Sequence, residues 1–237
     1  MGRFLFDFSG KSVLVLGGSK GIGFEVCRQF VNSGASVTSI ARSKCSIDAV
    51  ENIICDISDN SMLEKQLITI DDIDILINVA GTNLCETIST IDAREWDRVL
   101  DTNLKSFYTS IKYAVTLMKP KKKGKIVNVS SIAGRSKSIV SGVHYTASKY
   151  GIIGLTKQVA QEVGPFGINV NCTCPSQTMT DMLAASMSKR QIVELEERIP
   201  VGKISSVTEQ ALPILFLCTE AASYIHGAAI DINGGQL

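Results

Sequence analysis

The stretch Val13-Leu14-Val15-Leu16-Gly17-Gly18-Ser19-Lys20-Gly21-Ile22-Gly23 decides the fold. Four aliphatic residues without a polar break read as a strand buried on both faces. They run straight into glycines, and a helical pattern follows from Gly21 to Ser33. Glycines let the backbone turn tightly and approach a pyrophosphate, whose charge is met by the helix N-terminus. The spacing is Gly-x3-Gly-x-Gly, not the commoner Gly-x-Gly-x-x-Gly. A glycine turn alone is weak evidence, but this one joins a strand to a helix at the head of an alternating chain.

Outward from that turn, strands are expected at 36–41, 52–55, 73–78, 125–130, 168–172 and 228–232. A long helix is expected over about 92–118 and another over about 145–163. Strands alternating with helices imply crossover units, hence an α/β doubly wound, mostly parallel sheet of seven strands with helices on both faces. With no internal repeat, low-complexity tract or linker, residues 1–237 read as a single domain. Residues 42–50 are too few for a crossover helix. Residues 176–206 exceed what a connection needs, and include a polar helical run from Ser188 to Arg198. A long insert after a strand's C-terminal end is where a substrate-covering lid belongs.

The net charge of +1 gives no global field for nucleic acid or an anionic membrane. No apolar run approaches a membrane span. Phe4, Leu5, Phe6 and Phe8 are interrupted by Asp7 and read as the lead-in to a strand rather than a signal peptide. Phe6 stands where a myristoylation motif needs Ser or Thr. Seven cysteines, mostly among apolar neighbours, read as reduced and buried in a cytoplasmic protein. Cys172 and Cys174 lie two apart on a strand and share a face, so both suit the core; no metal site is expected.

Gly17-x3-Gly21-Ile22-Gly23 resembles the cofactor loop of the short-chain dehydrogenase/reductase family, with Leu16 where that family usually has Thr. The resemblance implies a Rossmann-like fold binding a nicotinamide dinucleotide through Gly17, Ser19, Lys20, Gly21, Ile22 and Gly23. An acid at the end of strand two would bind a ribose 2′-hydroxyl and repel a 2′-phosphate. This chain has Ala41, then Arg42 and Ser43, and Arg42 suits a phosphate, with Lys20 as second candidate. NADP(H) is therefore the expected cofactor. By resemblance, Asp56 contacts the adenine, with Ile57 beside it. Asn78-Val79-Ala80-Gly81 matches the Asn-Asn-Ala-Gly turn, Val79 replacing the second Asn, and places Asn78, Ala80 and Gly81 at the cofactor. After strand six, Pro175, Thr178 and Thr180 fall where the family contacts the nicotinamide end, although Ser176 departs from the usual Pro-Gly.

Tyr145 and Lys149 are four apart at the start of a helix and share a face. With Ser131, fourteen residues before Tyr145, and Asn103 in the preceding long helix, they match the family's Asn–Ser–Tyr–Lys set in order and context. Reducing a ketone makes negative charge on oxygen, which needs a proton. A free phenol, with a pKa of about 10, cycles poorly at neutral pH. A neighbouring ammonium favours the phenolate, each unit of lowering being worth about 1.4 kcal/mol. Tyr145 is thus the expected acid in reduction and base in oxidation. Ser131 would bond the carbonyl oxygen, more strongly as charge grows; Ser130 is its rival, and the following Ile-Ala-Gly favours Ser131. Lys149 also suits the nicotinamide ribose, and Asn103 resembles the residue anchoring a water that links Lys149 to solvent.

The resemblance runs to Asp231-Ile232-Asn233-Gly234-Gly235 and implies a homo-oligomer, tetramer or dimer. The expected activity is hydride transfer between NADP(H) and a ketone or secondary alcohol of a small molecule. Reduction of 3-oxoacyl groups on a carrier protein is one alternative, and a non-catalytic NADP(H)-binding regulator is another. Pocket residues are expected around 83–87, 132–143 and 176–200. The lysine run from Lys119 to Lys125 reads as a solvated turn, with an anionic partner as the sharper alternative. His144 is expected at most to flank the pocket, Trp96 to pack, and Arg135 or Lys137 either to meet an acidic substrate group or to lie exposed.

Overall fold

The computed structural model describes residues 6–138, 141–180, 183–184 and 188–237. Phe4, Leu5, Asp181, Met182 and parts of the expected pocket and lid lie outside these. The first half comprises β1 (Ser12–Leu16), α1 (Gly21–Asn32), β2 (Ser36–Ala41), β3 (Val50–Ile54), α2 (Asn60–Leu67), β4 (Ile75–Asn78) and α3 (Ala93–Leu100). A π-helical turn (Asp101–Lys105) leads into α4 (Ser106–Lys121). Then come β5 (Gly124–Val129), α5 (Val143–Val163), β6 (Ile168–Pro175), β7 (Thr178–Met179) and α6 (Lys189–Glu196). The chain ends with β8 (Ser205–Ser206), α7 (Val207–Leu217) and β9 (Ala229–Ile232).

Seven strands form one sheet in the order β3-β2-β1-β4-β5-β6-β9, every neighbouring pair parallel. Strand order reverses between β1 and β4, which opens a crevice at the carboxyl ends of those strands. Alternation along β1 builds both cores. Leu14 and Leu16 join Phe107, Ile111 and Ile152 on the face covered by α4 and α5. Val13 and Val15 join Val26, Phe30 and Ile214 on the face covered by α1 and α7. Phe8 packs its ring 4.8 Å from that of Phe30, and Phe6 packs against the same second core. Cys172 and Cys174 belong to the first core, and six of the seven cysteines are buried, Cys85 being exposed. Among the described residues, no helix is long and apolar enough to cross a membrane.

The boundaries correct several expectations. β6 runs on to Pro175 because β9 pairs with it from Cys172 to Pro175. β3 begins at Val50, and β4 begins at Ile75. The long helix is interrupted by the five-residue π turn and continues to Lys121, where Lys122 at φ 50 stops it. Helix α2 has only Leu63 and Leu67 buried, too thin a stripe for periodicity to show. Helix α7 contains Pro213, which masks it, yet it opens with a capping box in which Ser206 and Glu209 satisfy each other's backbone N–H. No helix joins β2 to β3, as their short connection requires. The ends of the 176–206 insert are pinned together by the pairing of β7 with β8.

The lysine run is largely occupied. Lys121 pairs with Asp72 and Asp74, Lys123 with Glu220, and the buried Lys125 donates to Asn169. Lys119 sits 4.5 Å over the ring of Phe166. These partners explain the run as fixings between α4, β5 and their surroundings. Arg135 is likewise committed, gripping Asp231 through two bonds of 3.1 Å.

A buried polar chain ties the sheet to its helices. Ser110 donates to Asn78 (2.7 Å), Asn78 to Asn128 (2.9 Å), and Asn128 to Thr156 (2.9 Å), all four fully or almost fully buried. Asn78→Ala orphans partners on both sides, at about 1–3 kcal/mol each. The urea midpoint should fall by the equivalent of about 3 kcal/mol with little change in m. At α7, the Lys203 ammonium and the N–H and hydroxyl of Ser206 lower the Glu209 pKa from 4.5 to about 2. A depressed carboxylate stabilises fully above its unfolded pKa and loses that contribution as pH falls through its folded one. Between pH 4.5 and about 2, wild type should therefore lose more stability than Glu209→Gln, read from unfolding midpoints at each pH.

Candidate active site

The crevice is walled by two turns that touch. Gly17 follows β1 at φ +98, and a Cβ there would lie 2.7 Å from the backbone of Ala80. Gly23 is closer still, its Cβ position only 2.1 Å from the carbonyl oxygen of Gly17. Val79 and Ala80 both donate backbone bonds to Leu16 (3.0 and 2.8 Å), so the turn after β4 is laced to the end of β1. Helix α1 begins at Gly21 with no side-chain cap from Lys20. Its first N–H groups are free to meet an anion above the glycine turn. Gly21 brings Thr180 to the same place, its Cβ position 3.4 Å from the Thr180 methyl. Such a cradle, closed to side chains and edged with unpaired N–H groups, suits a pyrophosphate.

Beside it, Ser43 donates to Ser19 (3.1 Å) and links the glycine turn to the segment after β2. Ala41 ends β2 buried, with no acid there, and Arg42 is exposed. Burial works to raise the Asp56 carboxyl, but the N–H and hydroxyl of Ser58, with the charges of Arg42 and Arg98, hold it below the usual range. Asp56 is therefore an anion close to Arg42. Ile57 is buried beneath it. Asn78 departs from expectation: its side chain is fully buried in the polar chain that joins β4, β5 and α4, and does not reach the crevice.

Helix α5 carries Tyr145 in its first turn and Lys149 one turn later. The Lys149 ammonium lies 5.4 Å from the centre of the Tyr145 ring and donates to the Val129 carbonyl (3.0 Å). Tyr145 is half-buried, whereas Lys149 is buried. Gly81 sits between the groups, its Cβ position 3.6 Å from both Lys149 Nζ and Asn103 Oδ1. Asn103 lies in the π turn, where one wide turn re-aims a side chain. It accepts from the Thr82 N–H (2.8 Å) and donates to the Thr82 carbonyl (2.9 Å) and to Ser148 (3.1 Å). Ser148 in turn donates to the Tyr145 carbonyl (2.7 Å).

The two serines separate cleanly. Ser130 is buried and donates to the Lys149 carbonyl (2.7 Å), which fixes α5 against β5. Ser131 is half-buried at the head of a short 3-10 turn, accepts from the Ala133 N–H (3.1 Å) and keeps its own hydroxyl proton for another partner. Pro175 ends β6 opposite Ile232, and Thr178 in β7 donates to the Ser176 carbonyl (3.1 Å). Thr180 accepts from the Leu183 N–H (3.2 Å). Ser148, which ties Asn103 to Tyr145, went unmarked in the sequence; it has no local signature, since its role depends on what α5 packs against. His144, expected at most to flank the pocket, is fully buried and accepts from the Tyr145 N–H.

A phenol beside a fixed ammonium, a serine hydroxyl with a proton left to donate and a glycine cradle suited to a pyrophosphate lie around one crevice. Comparison with known proteins agrees. The model of the short chain dehydrogenase family matches residues 11–191. The 3-oxoacyl-[acyl-carrier-protein] reductase of Aquifex aeolicus is 33% identical, over 96% of this chain and 97% of that protein. A 3-oxoacyl-[acyl-carrier protein] reductase of Brucella melitensis with bound NAD superposes with TM-score 0.88 at 27% identity, covering 99% of this chain and 94% of that one. ElxO with NADP bound superposes at 0.87, also 27% identical, covering 95% and 98%. By the extent of these matches and by the site its own residues build, the chain belongs to the short-chain dehydrogenase family of oxidoreductases.

Proposed function

We propose that this protein is an NADP(H)-dependent reductase moving a hydride between the nicotinamide and a ketone or secondary alcohol of a small molecule. The observation that carries the reading is the Lys149 ammonium, fixed by the Val129 carbonyl 5.4 Å from the Tyr145 ring. When bound, the cofactor supplies the hydride; the side chains supply position and a proton. Gly17, Gly21, Ile22 and Gly23 with the open end of α1 hold the pyrophosphate, while Ser19, Lys20, Arg42 and Ser43 meet the 2′-phosphate. Asp56 and Ile57 border the adenine. Ala80, Gly81, Pro175, Thr178 and Thr180 border the nicotinamide end.

Tyr145 Oη gives its proton to the substrate oxygen in reduction and takes it back in oxidation. Lys149 keeps an ammonium beside the phenol, held there by the Val129 carbonyl. Ser131 Oγ donates to the same oxygen, most strongly when it is anionic. Asn103 holds the Thr82 segment against Ser148 and so sets where α5 presents Tyr145. The 176–206 insert covers the substrate. A 3-oxoacyl thioester is the second reading, favoured by the relatives so named. The lysine run gives it little help, because Lys119, Lys121, Lys123 and Lys125 are already engaged. A homo-oligomer is supported by an apolar groove between α4 and α5, lined by Leu104, Tyr108, Gly151 and Leu155.

The test is NADPH consumption by the purified protein over ketones, ketosugars and 3-oxoacyl thioesters, with NADH beside it. Tyr145→Phe should abolish turnover while leaving NADPH affinity intact. Ser131→Ala should lower kcat by about 10²-fold or more, as loss of an oxyanion donor does. Ser130→Ala should chiefly lower stability. Arg42→Ala should raise the KM for NADPH and leave that for NADH unchanged. Binding without turnover on any substrate would favour the regulator reading, and failure to bind either cofactor would overturn both.

A further inference from the structure

Helix α5 starts without the cap its first turn needs. Gly142 is the N-cap residue and has no side chain to bond the helix's free N–H groups. The N–H three residues on, which a capping Ser or Asp ordinarily receives, belongs to Tyr145. It is bonded instead by the imidazole of its own neighbour, His144, whose Nδ1 accepts it at 2.9 Å. Side chains in a helix lean toward its N-terminus, which carries the ring of His144 back over Gly142.

The glycine and the histidine require each other. A Cβ on Gly142 would fall 2.4 Å from His144 Cε1, 2.7 Å from its Nδ1 and 2.9 Å from the Leu84 carbonyl oxygen. The ring and that carbonyl together fill the space that a capping side chain would occupy. His144 is wholly buried, and among the described residues its Nε2 meets no hydrogen-bond partner. Taking an imidazole out of water is costly, and the polar return visible for it is the bond to Tyr145. The same turn is anchored outward, since Gly142 donates to the Leu84 carbonyl (3.0 Å) beside the Thr82 segment that Asn103 holds.

We propose that His144 is a positioning residue, its imidazole replacing the missing cap of α5 and holding the backbone of Tyr145 where the phenol meets substrate. The catalytic consequence rests on the reading of Tyr145 as the acid; the cap itself does not. The cap is transferable only in part: serine at 142 with alanine at 144 removes the collision with the ring, but the Leu84 carbonyl must still yield to the new Cβ.

The experiment uses the full chain and three variants, His144→Ala, Gly142→Ser, and the two combined. Amide hydrogen exchange at Tyr145 reads the cap, and kcat and KM with NADPH and acetoacetyl-CoA read its consequence. In His144→Ala the Tyr145 amide should exchange about fivefold faster and kcat should fall by a similar factor, the scale of one lost cap. The KM for NADPH should stay unchanged, which a general loss of structure would not spare. The combined variant should recover part of the slow exchange and of kcat, whereas Gly142→Ser alone should do worse than either wild type or the combined variant because it meets both the ring and the Leu84 carbonyl. Equal protection of Tyr145 in wild type and His144→Ala would overturn the proposal. If His144→Ala does not fold, a fourth variant, His144→Asn, decides in its place: its side-chain oxygen can accept from the same N–H and should keep slow exchange and kcat, and loss of both would overturn the proposal. Wild type inert toward acetoacetyl-CoA would count against the 3-oxoacyl reading, while exchange would still judge the cap.

Discussion

Gly17 and Ala80 approach one another so closely that neither turn can be built without the other. The glycine takes a positive φ and leaves no room for a Cβ, and the backbone of Ala80 fills the space. That contact sits where the strand order reverses, at the head of the crevice. It also links the turn after β4 to the groups on α5. Ala80 leads to Gly81, Gly81 touches Lys149 and Asn103, and Thr82 is clasped by Asn103 from both sides.

Two kinds of polar group serve that crevice. One set is buried and fully engaged: Asn78, Asn128, Ser110, Thr156 and Ser130 bind each other or a backbone carbonyl and have nothing left for a ligand. The other set keeps capacity in reserve, as Ser131 does with its hydroxyl proton. The distinction between Ser130 and Ser131 is therefore one of hydrogen-bond accounting rather than of residue type. Arg135, Lys121 and Lys123 belong with the engaged set, since carboxylates within the chain answer their charges.

Much of this was legible in the sequence. The β1 run identified a buried parallel strand and its glycines a tight turn into α1, and Tyr145, Lys149 and Asn103 do come together around Gly81. What stayed hidden depends on partners far along the chain. Asn78 read as a cofactor residue because its motif ends at the site, but its side chain answers Asn128, fifty residues on. Arg135 looked free because Asp231 lies ninety-six residues away. Helix α7 was obscured by Pro213, although its capping box was present to be read. The β7–β8 pairing joins two-residue strands, too short for alternation to register.

The π turn at Asp101–Lys105 has a geometric consequence for its neighbours. An α-helix advances about 100° per residue, so one surplus residue shifts the rotational phase of everything beyond it by about that amount. The segments on either side of the turn are one rod along their axis but two in azimuth. The leading part packs on α5, and the trailing part packs on α2 and the sheet while keeping contact with α5. The surplus residue acts as a phase corrector, and Asn103 sits at the correction.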